Sequence, residues 1–164
     1  MSIARFKDLC LDATDPVRLG LFWAEVLGLT WQAQEGGDWV LSGAEYCAFA
    51  RQELPADRLH GLVVDAADPA ALAHWWGRVY GAPVENHHDG HSIVHQVPGM
   101  PILTMDFNLV PEPKTVKNRV HWDVSVPAVQ PLIDAGATLL RPPGEDYWHV
   151  LADPEGNEFC AFTD

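Results

Sequence analysis

The feature that most constrains the fold of this chain is an internal repeat. The segment from Asp12 to Gly28 returns 53 positions later (65 − 12) as the segment from Asp65 to Gly81. The identical pairs are Asp12/Asp65, Ala13/Ala66, Asp15/Asp68, Pro16/Pro69, Leu19/Leu72, Trp23/Trp76, Val26/Val79 and Gly28/Gly81. A fixed period of this length indicates an array of like structural units.

Each copy has the pattern of a capped helix that follows a strand. In the first copy Asp15 suits the N-cap, Pro16 suits the first turn, and Gly28 suits the end of the helix. The apolar residues between them recur at helical spacing and predict one buried face: Leu19, Phe22, Trp23, Val26 and Leu27. Short strand patterns separated by glycine turns follow each helix.

A third unit follows a linker at 110–117 that contains two prolines. Its last strand repeats the end of the first unit, because Asn157–Phe162 matches Ala44–Phe49 at a shift of 113 (157 − 44). We therefore predict three strand-helix-three-strand (βαβββ) modules: module one at 1–53, module two at 58–109 and module three at 117–164. Modules two and three are expected to form one domain over 58–164. The fold class is α+β, with helices covering a largely antiparallel sheet.

Composition limits the partners of the chain. With 164 residues and 48% hydrophobic content the chain can bury a real core. A formal charge of −13 disfavours nucleic acid and anionic membrane surfaces. No apolar run reaches the roughly 20 residues that cross a bilayer, and the N-terminus has no signal-peptide pattern, so we expect a cytoplasmic protein. Cys10, Cys47 and Cys160 are interpreted as buried, reduced thiols in preference to a disulfide or a nucleophile.

Three stretches of module three resemble the glyoxalase-like domain of the vicinal oxygen chelate superfamily: Lys117–Asp123, Asp134–Leu140 and Leu151–Cys160. That superfamily includes glyoxalase I, extradiol dioxygenases and the fosfomycin- and bleomycin-resistance proteins. The resemblance implies modules whose sheets curl into a cup around a small-molecule site, with helices outside. It also implies modules in even number, so a chain with three is expected to cover the remaining one by forming a homodimer.

The resemblance places His121 and Glu158 at the two metal-ligand positions of module three. Strand alternation puts His121 on one face with Asp123 and Ser125, opposite Trp122 and its apolar neighbours. Asp123 is therefore a candidate substrate-binding residue on the same face as His121.

The repeat shifts transfer these two positions to the other modules. In module two the equivalent of His121 is Gly61, and the equivalent of Glu158 falls between Pro101 and Leu103, so neither position offers a ligand. In module one the equivalents are Asp8 and Glu45. A set of His121, Glu158, Asp8 and Glu45 therefore exists only if module one lies opposite module three, and it would suit Zn, Ni, Mn or Fe. The alternative is a cup without metal whose polar groups hydrogen-bond one another.

Two other groups of side chains allow alternative interpretations. Trp39 and Trp148 occupy matching places in modules one and three, and they are candidates for an aromatic substrate pocket or for the core. The run Asn86–His91 with His95 has an Asp-Gly centre typical of a hairpin. We favour an ordinary polar hairpin there over a histidine metal site.

Three functions remain open from the sequence. The first is a metal-dependent lyase, isomerase or dioxygenase in which Glu158 moves a proton. The second is a metal-free protein that binds or sequesters a small molecule, as bleomycin-resistance proteins do. The third is a structural dimer without a ligand.

Overall fold

The structure is a computed structural model that describes residues 2–29, 46–50, 59–145 and 147–163, with the backbone alone for 46–50. The elements in chain order are β1 (Arg5–Asp12), α1 (Pro16–Leu27), β2 (Tyr46–Ala50), β3 (Gly61–Ala66), α2 (Pro69–Tyr80), β4 (Val84–Asn86), β5 (Ser92–His95), β6 (Thr104–Leu109), β7 (Val120–Val126), α3 (Gln130–Asp134), β8 (Thr138–Arg141), β9 (Trp148–Ala152) and β10 (Glu158–Thr163). Trp39 and Glu45 lie outside the described residues. Each of the helices in the described part of the chain is too short to cross a membrane.

The repeated helices begin and end as the sequence predicts. The Asp15 side chain accepts a hydrogen bond from the Arg18 N–H at 2.9 Å, and Asp68 accepts one from Ala71 at 3.0 Å. Gly28 and Gly81 end the helices with φ of 70° and 63°, in the left-handed region that glycine adopts without strain. The two copies therefore share their helix caps as well as their sequence.

Two sheets carry the fold. One has the strand order β2-β1-β7-β10-β9-β8 and the other the order β3-β6-β5-β4. Modules two and three are both βαβββ units in which the first and last strands are parallel neighbours and the other pairs are antiparallel. The predicted α+β class is confirmed.

Module one joins the sheet of module three. Strand β1 pairs with β7 in antiparallel orientation, and β2 pairs antiparallel with the other edge of β1. In modules two and three the last strand is parallel to the first strand, whereas in module one β2 is antiparallel to β1. The repeated sequence therefore does not give the same strand direction in module one. Because β1 is paired within the chain, the reason for expecting a homodimer no longer applies, and the homodimer itself stays a prediction.

Helix α2 lies in the interior between the two sheets. It contacts all four strands of its own sheet. On its other side the Trp76 ring meets Trp122 of β7 at 5.1 Å and Phe159 of β10 at 5.0 Å between ring centroids. One hydrophobic core therefore includes residues from both sheets.

The same helical sequence is buried to different extents in its two copies. Val79 of α2 is fully buried, whereas its repeat equivalent Val26 in α1 is 50% exposed. Phe22 of α1 is also 55% exposed, while Leu27 is buried. The predicted single buried face of α1 is thus only half correct, because the described residues cover α2 on two sides and α1 on one.

Candidate functional site

The candidate site lies where module one meets module three. In the antiparallel pairing of β1 with β7, Leu9 is opposite Trp122. These two residues are 113 positions apart (122 − 9), which is the shift of the repeat, so equivalent positions meet around a local two-fold axis. One step along the ladder, Cys10 is opposite His121. The site is therefore built from the first strands of two related modules.

Strand alternation on β7 is as the sequence predicts. Trp122, Val124 and Val126 are buried in the hydrophobic core. His121 and Asp123 consequently point to the other face of the sheet, where Cys10 approaches them from β1.

Three different metal-binding side chains meet on this face. Ligand atoms of Cys10, His121 and Asp123 all lie within 4.8 Å of one another. The Cys10 thiol donates to Asp123 Oδ2 at 3.5 Å. Cys10 and Asp123 are 2% and 4% exposed, and the His121 side chain is 11% exposed. In the described part of the chain this is the one group of three or more such residues.

His121 and Asp123 each have one buried polar atom without a hydrogen-bond partner among the described residues: His121 Nδ1 and Asp123 Oδ1. The nearest carboxylate oxygen to His121 Nδ1, on Asp12, is 3.9 Å away, which is too long for a hydrogen bond. Buried polar atoms are nearly always satisfied, and each unsatisfied atom costs about 1–3 kcal/mol. An imidazole nitrogen and a carboxylate oxygen are both ordinary ligands of a divalent ion, so the chemistry of the two unpartnered atoms fits a metal.

Burial disfavours charge on all three side chains. Burial, aided by the nearby Asp8 charge and opposed by Lys7, raises the pKa of Asp123 to about 7. Burial and the Asp123 charge raise the pKa of the Cys10 thiol, and burial lowers the pKa of His121 despite the nearby Asp12 carboxylate. A bound cation would favour the deprotonated form of each group and so act against these shifts.

A second thiol approaches Asp123 from the other side. Cys160 on β10 is opposite Asp123 in the parallel pairing, and burial together with the Asp123 charge raises the pKa of its thiol. Cys10 and Cys160 are free cysteines on strands that flank β7. Two strand spacings amount to about 10 Å, beyond disulfide reach. The prediction of buried, reduced thiols is confirmed for these two cysteines, while the Cys47 side chain lies outside the described residues.

Glu158 is already engaged by two donors. Its Oε1 accepts from the Lys114 ammonium at 2.9 Å, and its Oε2 accepts from the Asn118 N–H at 3.1 Å. Partial burial acts to raise the pKa of Glu158, but these hydrogen bonds hold it below its ordinary value. Its predicted roles as metal ligand and proton carrier stay predictions, and both would require Lys114 to move away.

The other predicted residues are distributed around this face. Asp8 pairs with the Lys7 ammonium and adds negative charge near Asp123, without joining the group of three. Trp148 stacks on Phe162 at 5.5 Å between centroids, and Phe162 follows Cys160 by two positions on the same face of β10. An aromatic pair thus extends the surface beyond Asp123.

Among its described residues, module two has no comparable group. A Cβ at Gly61, the equivalent of His121, would lie 2.5 Å from Asp106 Oδ2, so any side chain there would have to displace the Asp106 carboxylate. By the register of β3 with β6, the equivalent of Glu158 is Thr104 and not a residue between Pro101 and Leu103, which corrects the alignment by sequence shift. A shallow cavity of about 440 Å³ covers this face, lined by His60, Gly61, Val63, His91, Asp106 and Asn108.

The histidine-rich segment is a polar hairpin. Strands β4 and β5 pair antiparallel, and Glu85 interacts with His87 at 3.4 Å and with His95 at 3.1 Å. The hairpin prediction is confirmed. Its histidines contact carboxylates, and the rings of His87 and His91 also stack at 4.1 Å between centroids.

Cys10 is the residue of the group that sequence reasoning assigned to the core. The signal was present, because the shift of 113 makes Cys10 the equivalent of Asp123 (123 − 10), just as Asp8 is the equivalent of His121. The residue type, a small apolar thiol between leucines, favoured burial alone.

Comparisons with known proteins agree with this fold. The model of the glyoxalase-like domain family matches residues 61–162. A possible glyoxalase from Bacillus cereus has a TM-score of 0.50 at 14% sequence identity, covering 63% of this chain and 96% of that one. A glyoxalase/bleomycin resistance protein/dioxygenase family enzyme from Burkholderia phytofirmans PsJN has a TM-score of 0.47 at 22% identity, covering 62% and 94%. Curated proteins give no match. Strand β1, with Cys10, lies outside the matched region.

Proposed function

Because this chain belongs to the glyoxalase-like domain family of the vicinal oxygen chelate superfamily, we propose that it binds a small molecule beside one divalent metal ion. The site is the face of the six-stranded sheet that carries Cys10, His121 and Asp123. The reaction class is that of a metal-dependent lyase, isomerase or dioxygenase.

The unpartnered pair of buried atoms carries this proposal. His121 Nδ1 and Asp123 Oδ1 are both inaccessible to water and without a hydrogen-bond partner among the described residues. A chain that only needed a packed core would be more stable with apolar side chains at these positions. An ion shared by the imidazole and the carboxylate would satisfy both.

Side chains of this face would hold an ion and leave room for substrate. A divalent ion with three protein donors keeps a coordination position for a substrate oxygen, which it polarises as a Lewis acid. Lys114 keeps the Glu158 carboxylate ionised at the edge of the site. A substrate that displaced Lys114 would meet a carboxylate able to accept a proton.

The aromatic pair supports a small molecule with a flat apolar part. The guanidinium of Arg141 lies 5.7 Å from the centroid of the Trp148 ring, and the ammonium of Lys7 lies 4.3 Å from that of Phe162. Trp148 and Phe162 thus place aromatic surface and positive charge on the face that carries the metal donors.

A second candidate function is metal-free binding of the same kind of molecule. It is favoured by the Cys10 thiol, which donates to Asp123 and so partly completes the cluster without an ion. In this case the protein would sequester its ligand, and Asp123 would be a structural acceptor.

Metal analysis of untagged protein distinguishes the two functions. We expect about one equivalent of transition metal in the wild type, and a loss of at least about tenfold in affinity in His121→Ala, since a buried ligand is removed. His95→Ala is the matched control, because His95 is an exposed hairpin histidine bound to Glu85, and it should retain the metal.

Protein that purifies without metal and has no affinity for Zn, Ni or Mn would contradict the metal-dependent function. Quenching of tryptophan fluorescence by aromatic compounds in that metal-free protein would then support sequestration.

A further inference from the structure

We propose that Cys10 binds the metal ion as a thiolate and makes this a site for a thiophilic ion of the zinc class, in preference to manganese or magnesium. The inference rests on the proposed metal site and specifies its chemistry. The residue that decides the identity of the ion comes from module one, outside the region that the family model matches.

The position of the sulfur supports a ligand. Cys10 is directly opposite His121 across the β1–β7 ladder, and its Sγ is 3.5 Å from Asp123 Oδ2. The sulfur, nitrogen and oxygen donors all lie within 4.8 Å of one another. Within the described part of the chain the Cys10 thiol donates its hydrogen bond to Asp123, which is itself a member of the group. An ion placed among the three atoms would replace that hydrogen bond with bonds to both residues.

The chemistry of the donor set selects the ion. Thiolate and imidazole ligands suit zinc and its neighbours, whereas manganese and magnesium prefer carboxylate, carbonyl and water oxygens. A set of one sulfur, one nitrogen and one oxygen leaves a fourth tetrahedral position open, as in catalytic zinc sites. On binding, the metal–sulfur bond forms as the S–H bond breaks, and the thiol proton passes to solvent. No electron is transferred.

Cys160 has a different role in this arrangement. It is opposite Asp123 in the β7–β10 pairing, but it does not belong to the group whose donor atoms lie within 4.8 Å of one another. From this neighbouring position its side chain would restrict the rotation of the Asp123 carboxylate. We assign Cys160 as a positioning residue and Cys10 as the ligand.

The sulfur donor of this chain comes from module one, because Cys10 lies on strand β1. Module two offers only Gly61 at the position of His121, so modules two and three together supply half a site. Strand β1 brings Cys10 to the other half through the local two-fold pairing with β7. Changing one residue of module one is therefore expected to change metal preference without altering the family-matched region.

Cobalt substitution tests the inference on the full chain. Co²⁺ bound to a thiolate gives a near-ultraviolet charge-transfer band that nitrogen and oxygen ligands do not give. We expect this band in the wild type and in Cys160→Ser, and we expect its loss in Cys10→Ser. Competition between zinc and manganese should favour zinc in the wild type and shift at least about tenfold toward manganese in Cys10→Asp.

Folding of each variant is checked by circular dichroism, and Cys10→Ala provides a second substitution if the serine variant does not fold. Cobalt bound without the band, or a band that persists in Cys10→Ser and Cys10→Ala, would overturn the thiolate assignment and leave the metal site standing. Failure of the wild type to bind cobalt or zinc at all would overturn the proposed metal-dependent function as well.

Discussion

Replacing Trp76 with alanine is expected to lower the free energy of unfolding by about 3–5 kcal/mol, the largest effect of any single change considered. Trp76 is fully buried and packs on Trp75, Tyr80, Trp122 and Phe159. Because it joins α2 to β7 and β10 of the six-stranded sheet, its loss leaves a cavity between the helix and that sheet. Urea unfolding followed by circular dichroism measures the change.

Trp76→Phe is the matched control. The phenylalanine ring retains most of the packing, but it removes the hydrogen bond that the Trp76 indole donates to Asp153 Oδ2 at 3.2 Å. Asp153 Oδ2 still accepts from the Asn157 side-chain amide at 3.1 Å, so only one hydrogen bond to a carboxylate is lost, at a cost of about 1.5–3 kcal/mol. The phenylalanine variant should therefore lose less than the alanine variant. A loss below about 1 kcal/mol in Trp76→Ala would show that the two sheets do not share this core.

The second large effect is a pH dependence that originates at Asp123. Its pKa is about 7 in the folded protein against an ordinary value of 3.8. The folded state therefore binds the Asp123 proton more tightly than the unfolded state does. The contribution of this proton to the free energy of unfolding is complete below pH 3.8, and it decreases as the pH rises to about 7. Between pH 5 and 8 the loss is about 3 kcal/mol, at 1.36 kcal/mol per unit of pKa.

Asp123→Asn isolates this contribution when both proteins are unfolded in the presence of a chelator. His121 acts in the opposite direction, because its lowered pKa makes the folded protein less stable as pH falls below its ordinary value of 6.5. Since the variant retains His121, the difference between the two stability curves reports on Asp123. From pH 5 to pH 8 the wild type should lose about 3 kcal/mol of unfolding free energy relative to Asp123→Asn. A difference that does not change with pH would mean that Asp123 is ionised throughout.

The repeat in the sequence predicts much of this fold, because helix caps and strand alternation are local properties. Asp15 and Asp68 cap their helices, and the alternation on β7 separates Trp122 from His121. These features depend on a few neighbouring residues, so a single sequence shows them. The same local pattern does not show how many layers cover a helix, which is why Val26 and Val79 differ in burial.

The composition of the site depends on contacts between distant segments. Alternation assigns Cys10 to a face but does not say that β7 is the neighbouring strand. Lys114 comes from the proline-containing linker, and its ion pair with Glu158 joins residues 44 positions apart. The pairing of β1 with β7 and the ion pair of Lys114 with Glu158 both result from tertiary packing. The first contact places Cys10 in the metal-binding group, and the second keeps Glu158 bound to Lys114.

We propose that modules one and three together bind a metal ion. X-ray absorption at the zinc edge of the zinc-loaded protein tests it most directly. We expect one sulfur at about 2.3 Å together with nitrogen and oxygen donors at about 2.0–2.2 Å, and we expect the sulfur to be lost in Cys10→Ser. A coordination shell without sulfur, or a shell that is unchanged in His121→Ala, would contradict a centre shared by the two modules.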